Sequence, residues 1–297
     1  SDNNTAVGHE AGQNLTSDSN VIFGYRAMKH ATSTASSVAI GREALGGDGS
    51  TAPTGNENIA IGSYTLDATT TGNANVVIGH LAGTSINTCY INVLIGKQAG
   101  YLLTDGADNV AIGVAALDAA NGGELQNIAI GTNALGTETS GADGCVAIGH
   151  AALGTQNRDG SRNTAIGYVA LTNLGNSVTY GGVRNTAVGY IAGGNGVFGG
   201  SGSTDGDDNT LLGYAAGYAI TTGADNNIIG TFAGNLLTTG RGNSIIGSKA
   251  GQNATSVKEN IIIGDSACGL GVLANATGTE GMYNVVIGST AGYDLTT

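Results

Sequence analysis

Tryptophan is absent from this chain, proline occurs once, phenylalanine three times, and only 11% of its 297 residues are charged. Such scarcity, beside abundant glycine, describes neither an ordinary globular domain nor a disordered chain. No run approaches the roughly 20 apolar residues that a membrane-spanning helix requires, and no charged-then-apolar leader opens the chain. Basic residues are also scarce: ten Lys and Arg against 22 Asp and Glu give a net charge of −12. Phosphate backbones and anionic membranes need clustered cations, so neither nucleic acid nor membrane insertion is expected. Cysteine is limited to Cys89, Cys145 and Cys268. They stand at different positions in well-separated segments, so a disulfide within one chain is not expected, and buried thiols are.

Glycine, in contrast, is abundant, with 53 copies. A glycine at about every sixth position costs a helix about 1 kcal/mol at each occurrence, and no segment keeps a 3.6-residue apolar period. Short strands joined by tight turns remain.

Sixteen of those glycines head copies of one phrase: Gly8, Gly24, Gly41, Gly62, Gly79, Gly96, Gly113, Gly131, Gly149, Gly167, Gly189, Gly213, Gly230, Gly247, Gly264 and Gly288. Counting positions from this glycine, Asn stands at −4 in fourteen copies, with Ser37 and Cys145 as the exceptions, and Ala at +3 in fifteen, with Thr65 the exception. Asn58, Gly62, Asn75, Gly79, Asn109, Gly113 and Ala116 represent the template, whose recurrence in every copy argues for structural rather than catalytic duty. Most intervals are 16 to 18 residues; four are longer, at 21, 22, 24 and 24.

This period suits an all-β parallel β-roll or β-solenoid of about sixteen rungs, 16 to 24 residues each, with two short strands and two turns per rung. Sixteen rungs would rise roughly 75 Å at the usual strand spacing. Residues 1–297 form one repeat array, which starts by Asn4 and still runs at Gly292, as expected of a fragment of a longer fibre. Asn should open the strand and stack into ladders, the template glycine should mark a corner close to the next rung, and Ala at +3 should fill a tight interior slot. Nine copies also carry Gly at −7, a type suited to positive-φ turns.

The residue at −1 is apolar in every copy and is expected to point into the coil. Strand side chains alternate, so position −2 should face the other way. It too is never polar: Ala60, Val77, Leu94, Ala111, Ala129, Leu211, Ile228, Ile245 and Ile262 are examples. Such a stripe needs cover. The economical cover is a second and third copy in a parallel homotrimer, with these residues as its interface. A wider monomeric coil folding back over the stripe is the alternative.

Asn-x-Ala-Ile-Gly followed by x-x-Ala resembles the head repeats of YadA-type trimeric adhesins, which also occur in bacteriophage tail-fibre proteins. The resemblance covers essentially the whole chain. It implies a left-handed parallel β-roll, three chains about a threefold axis, and attachment outside the cell. The rungs here exceed the 14 or 15 residues usual in those heads, and neither stalk nor membrane anchor is present in this sequence. Those departures favour a virion tail-fibre segment over a bacterial surface adhesin.

Recognition is expected from two places. Position +1 carries His9, Tyr25, Arg42, His80, Lys97, His150, Tyr168, Tyr190 and Tyr214, a row that could meet a glycan or protein receptor or merely cover the corner. The insertions at residues 46–57, 172–184, 194–208 and 269–283 add Tyr180, Phe198 and Tyr283. Asp205, Asp207 and Asp208 offer carboxylates for calcium without either of the usual loop patterns. No cofactor motif, nucleophile elbow or phosphate loop is present, so the chain is not expected to be an enzyme. A polysaccharide-degrading tailspike is the alternative of another class, and no rung gathers two acidic residues on strand positions for it.

Overall fold

In a computed structural model, the described residues are 3–47, 52–120, 122–137, 142–156, 162–174, 182–195, 206–269 and 281–293. They are all-β, with no helix among them. The chain divides into two compact units, Ser1–Cys145 and Val146–Thr297. Both are parallel β-solenoids built on the same template.

The first unit holds β1 (Thr5–Val7), β2 (Val21–Phe23), β3 (Val38–Ile40), β4 (Ile59–Ile61), β5 (Val76–Ile78), β6 (Val93–Ile95), β7 (Val110–Ile112) and β8 (Ile128–Ile130). Each pairs in parallel with the next, in strict register: Val76, Val77 and Ile78 lie over Val93, Leu94 and Ile95. The second unit holds β9 (Val146–Ile148), β10 (Thr155–Gln156), β11 (Thr164–Ile166), β12 (Asn173–Leu174), β13 (Thr186–Val188), β14 (Thr210–Leu212), β15 (Asn227–Ile229), β16 (Ser244–Ile246), β17 (Ile261–Ile263) and β18 (Val285–Ile287). Here the main order is β9-β11-β13-β14-β15-β16-β17-β18, and β10 pairs separately with β12. Each template position therefore sits over its own copy.

The strands are only three residues long because the template turns the backbone on both sides. The residue at −5, as in Glu57, Asp108 and Asp225, has φ near +60°, and so does the residue at +2, as in Tyr64, Gln98 and Phe232. A third left-handed residue follows at +4, whether Leu66, Leu117 and Leu135 or Gly83, Gly100 and Gly217. Left-handed backbone interrupts extended structure. The expected second strand is accordingly reduced, in the first unit, to single parallel bridges running Asn73, Tyr90, Ala107, Leu125, Asp143.

The template glycine is a corner where two backbones nearly touch. At Gly79, φ is +143° and a Cβ would stand 2.2 Å from the Gly96 carbonyl oxygen, a separation no side chain tolerates. The glycine expected to turn at −7 has a different reason for being there in several rungs: Gly72 has no positive φ, but its Cβ would lie 2.6 Å from the Cys89 carbonyl. Close approach, rather than turn geometry, fixes it.

Asparagine at −4 joins one rung to the next. Asn92 is fully buried; its Nδ2 donates to Asn75 Oδ1 at 3.0 Å and to the Gly106 carbonyl at 2.9 Å, while its own Oδ1 accepts from the Asn109 amide at 3.0 Å and from Asn109 Nδ2 at 3.0 Å. A buried carboxamide with donors and acceptors all partnered is the arrangement that makes burial tolerable. Where Ser37 replaces Asn, its Oγ still accepts the Asn58 amide at 3.0 Å. Cys145, the other exception, donates its own amide to Asn127 Oδ1 at 2.9 Å. All three cysteines are buried and unbridged. Burial pushes the Cys89 thiol up to about 12 and raises that of Cys268.

Candidate functional site

The interior is filled by three template positions, and they do not match the expected orientation of the strand. Ala at +3, as in Ala82, Ala99 and Ala116, is buried as expected. The middle strand residue at −2, expected outside, is also fully buried: Ala60, Val77, Leu94, Ala111, Ala129, Leu211, Ile228, Ile245 and Ile262 all have no accessible surface. These nine residues therefore line the coil of their own chain and cannot be its oligomer interface. The residue at −1, expected inside, is never buried in any described strand.

Volume exchange explains why −2 turns inward. In the rungs headed by Gly41, Gly62, Gly113, Gly131, Gly149 and Gly167, Ala at −2 is matched by Leu at +4: Leu45, Leu66, Leu117, Leu135, Leu153 and Leu171, all buried. Where −2 is Val77, Leu94, Leu211, Ile228 or Ile245, position +4 is Gly. A Cβ on Gly100 would meet Leu94 Cδ1 at 2.7 Å, and one on Gly217 would meet Leu211 Cδ2 at 2.7 Å. The two side chains fill one space, which close packing permits only once. Four rungs depart from the rule: Ile22 with Met28 and Ile262 with Cys268 pair two sizeable buried side chains, and Ala6 with Gly12 and Ala187 with Gly193 pair two small residues.

Positions −3 and −1 consequently point out of the sheet. In the first unit both columns are apolar from β2 to β8, with Val21 46%, Phe23 57%, Ile40 37%, Ile112 37% and Ile128 36% exposed. In the second unit the −1 column remains apolar, including exposed Ile166, Leu212 and Ile246, but −3 carries Thr164, Thr186, Thr210, Asn227 and Ser244 between apolar Val146 at one end and Ile261 and Val285 at the other. Each unit thus presents a ribbon two side chains wide that repeats at every strand.

Beside the ribbon, past the glycine corner, runs the +1 column. In the second unit His150, Tyr168, Tyr190 and Tyr214 stack face to face, with centroids 5.0, 5.1 and 5.4 Å apart and planes within 14°, 8° and 4°, and Phe232 closes the column edge-on at 5.0 Å. The three tyrosines are 48%, 48% and 44% exposed. In the first unit the equivalent column is mixed: His9 stacks on Tyr25 at 5.6 Å, and the Arg42 guanidinium lies between the Tyr25 and Tyr64 rings at 5.8 and 5.3 Å. Below it Glu10 bridges Arg26 at 2.7 Å and Lys29 at 2.8 Å; hydrogen bonds from these two cations, Lys29 first, lower its carboxyl to about 2. Arg26, Lys29, His30, Glu43, Gly46, Gly47 and Asp67 line a polar cavity of about 280 Å³ there.

Of the other candidates, Tyr283 is 66% exposed and has φ +59° at position −5. Tyr180, Phe198 and Asp205 lie outside the described residues. Asp207 and Asp208 are engaged by protein groups. Asp208 accepts two bonds of 2.7 Å from Arg184, and buried Asp207 accepts the Val183 amide at 3.0 Å and contacts Arg184 at 3.3 Å. Burial raises the Asp207 carboxyl above its ordinary range, while hydrogen bonding from Arg184 lowers that of Asp208. No group of three His, Cys, Asp or Glu among the described residues is arranged for a metal ion. Compared with known proteins, the chain matches no family model and no curated protein.

Proposed function

We propose that this chain is a structural and adhesive segment of an extracellular attachment fibre, a left-handed β-roll whose copies assemble in parallel as a homotrimer. The observation that carries it is the apolar ribbon at −3 and −1, which supports the seam argument at positions other than those first assigned to it. From β2 to β8 the first unit turns fourteen apolar side chains outward, seven from each column. Covering a partly exposed Val or Ile contributes roughly 1 kcal/mol, so this ribbon offers on the order of 10 kcal/mol per protomer. That is comparable with the roughly 4–15 kcal/mol that association costs.

A second copy fits the ribbon because its period is automatically the same. With a rotation axis parallel to the stack, rung meets equal rung throughout, and the same columns close the assembly. Three-residue strands make each ribbon narrow, which favours three faces converging on an axis over two broad sheets packed as a sandwich. A virion tail fibre is the favoured setting and a bacterial surface adhesin the rival, with adhesion assigned to the +1 column and the insertions. The number of chains per particle, measured by light scattering on the purified chain, tests the proposal. Three chains are expected, and Ile95→Asp should reduce them to one without unfolding; a wild-type monomer at micromolar concentration overturns it.

A further inference from the structure

The geometry points to the tyrosine column of the second unit as a docking strip for an extended, uncharged β-linked polysaccharide lying along the stacking direction. This deepens the adhesive reading above and rests on it. Four side chains, His150, Tyr168, Tyr190 and Tyr214, present one ring per rung at intervals of 5.0 to 5.4 Å. Their faces are occupied by one another, so what remains for a ligand is a ribbon of ring edges and phenol oxygens. Among the described residues the hydroxyls of Tyr168, Tyr190 and Tyr214 make no hydrogen bond, and their rings are nearly half exposed.

Periodicity selects the occupant. An extended peptide advances about 3.3 Å per residue and falls out of step with the rings after one or two positions. A nucleic acid strand advances about 3.4 Å per nucleotide and needs cations that this column lacks. An extended β-1,4-linked pyranose chain advances by about one rung spacing per sugar, so it stays in step with a column whose rings stand 5.0 to 5.4 Å apart.

Charge selects the class further. The +2 residues flanking the column are Ala151, Val169, Ile191, Ala215 and Phe232, all uncharged, whereas the corresponding region of the first unit holds Glu10, Arg26 and Glu43. A neutral aromatic edge on a chain of net charge −12 disfavours an acidic polymer. The ladder is also held rigid: the backbones beneath the rings are joined by Val169 N–H to His150 C=O at 2.9 Å, Ile191 to Tyr168 at 2.9 Å and Ala215 to Tyr190 at 3.0 Å. Little order has to be imposed on binding, which is the condition for a weakly polar surface to hold a sugar chain.

The test is titration calorimetry of the 297-residue chain with cello- and chito-oligosaccharides, with alginate oligomers as the acidic comparison. Wild type is expected to bind the neutral oligomers more tightly as they lengthen to span the column, and to prefer them over alginate. Tyr190→Phe keeps the stack and loses one phenol, and should weaken binding roughly threefold to tenfold. Tyr190→Ala interrupts the column and should weaken it more than tenfold, with the thermal midpoint of both variants measured alongside. Absence of binding by wild type, preference for alginate, or equal binding by wild type and Tyr190→Ala overturns the inference. Light scattering on the same samples separates the two proposals: three chains without binding sinks the docking strip alone, and a single chain sinks the fibre reading.

Discussion

The two units share an interior and differ on their surfaces. Inside, both place Asn at −4 and small residues at +3, and most rungs of both carry an Ala–Leu or large–Gly pair at −2 and +4. Outside, the first unit shows Val and Ile at −3 from β2 to β8 and a cation–aromatic column at +1; the second shows Thr, Asn and Ser at −3 from β11 to β16, with apolar Val146, Ile261 and Val285 at its ends, and a stacked aromatic column at +1. A stacked interior leaves one space per rung, so its residues are held to complementary volumes, while outward positions answer only to whatever lies against them. The polar ladder differs too. It is interrupted by Ser37 in the first unit and runs through Asn163, Asn185, Asn209, Asn226, Asn243, Asn260 and Asn284 in the second, with Asn donating to Asn at every step from Asn185 onward.

The largest expected effect breaks that unbroken run. Asn209→Ala removes the side chain that accepts from Asn226 at 3.1 and 2.9 Å and donates to the Gly223 carbonyl at 2.9 Å, leaving buried groups unpartnered. Each such group costs about 1–3 kcal/mol, so denaturant melts should show a loss on the order of 4 kcal/mol. Ser37→Ala in the first unit, which removes one bond accepted from the Asn58 amide and one donated to the Ala35 carbonyl at 3.0 Å, should lose about 1 to 2 kcal/mol by the same measurement. Equal losses at the two sites would mean that the ladder is not what distinguishes the units.

A second substitution pair addresses the interior they share. Leu94→Ala should cost about 2–5 kcal/mol by opening a cavity. Adding Gly100→Leu, which converts this rung to the Ala–Leu arrangement of its neighbour at Ala111 and Leu117, should restore at least half of it. Non-recovery would contradict volume exchange between −2 and +4.

Making the surfaces alike gives a smaller effect. Thr186→Val lends the second unit the first unit's −3 column and should tighten self-association by roughly 1 kcal/mol, read as a lower dissociation midpoint in sedimentation. The reverse change, Val110→Thr, should loosen it by a similar amount.

The smallest effect concerns charge. Glu10 in the folded chain has a carboxyl at about 2, below the usual value near 4.3 for an unfolded chain. A depressed acid contributes stability above the unfolded value and loses it as pH falls from about 4.3 toward 2. Glu10→Gln should flatten the acid limb of the first unit's melting curve across that window, and the Glu10 carbon resonance should titrate near its lower end. Its partners are partly exposed, so only a slight change in the melting midpoint is expected at neutral pH.

Much of this architecture was legible in the residues. The period, the parallel in-register stack, the buried Asn ladder and the crowded glycine corner all follow from the template's recurrence. The +1 row was visible as a list of aromatic residues, but its ring stacking was not, because sequence spacing fixes only that consecutive rungs bring their copies together. The nine residues assigned to the interface were misplaced for a specific reason. Both −1 and −2 are apolar throughout, so apolar character alone could not say which column faces in; the signal was the inverse size of −2 and +4, as in Ala111 with Leu117 and Leu94 with Gly100.

The sequence by itself determined that every rung repeats the same contacts, since identical short phrases at a near-constant interval can only satisfy their backbone groups by stacking on one another. Only the tertiary structure decided which face of the strand lies inside. The three left-handed residues per rung, at −5, +2 and +4, swing +4 across the coil toward −2, and that curvature is set by how successive turns close on themselves. Alternation along a strand supplies two faces, and the closure of the coil around one of them makes it the interior.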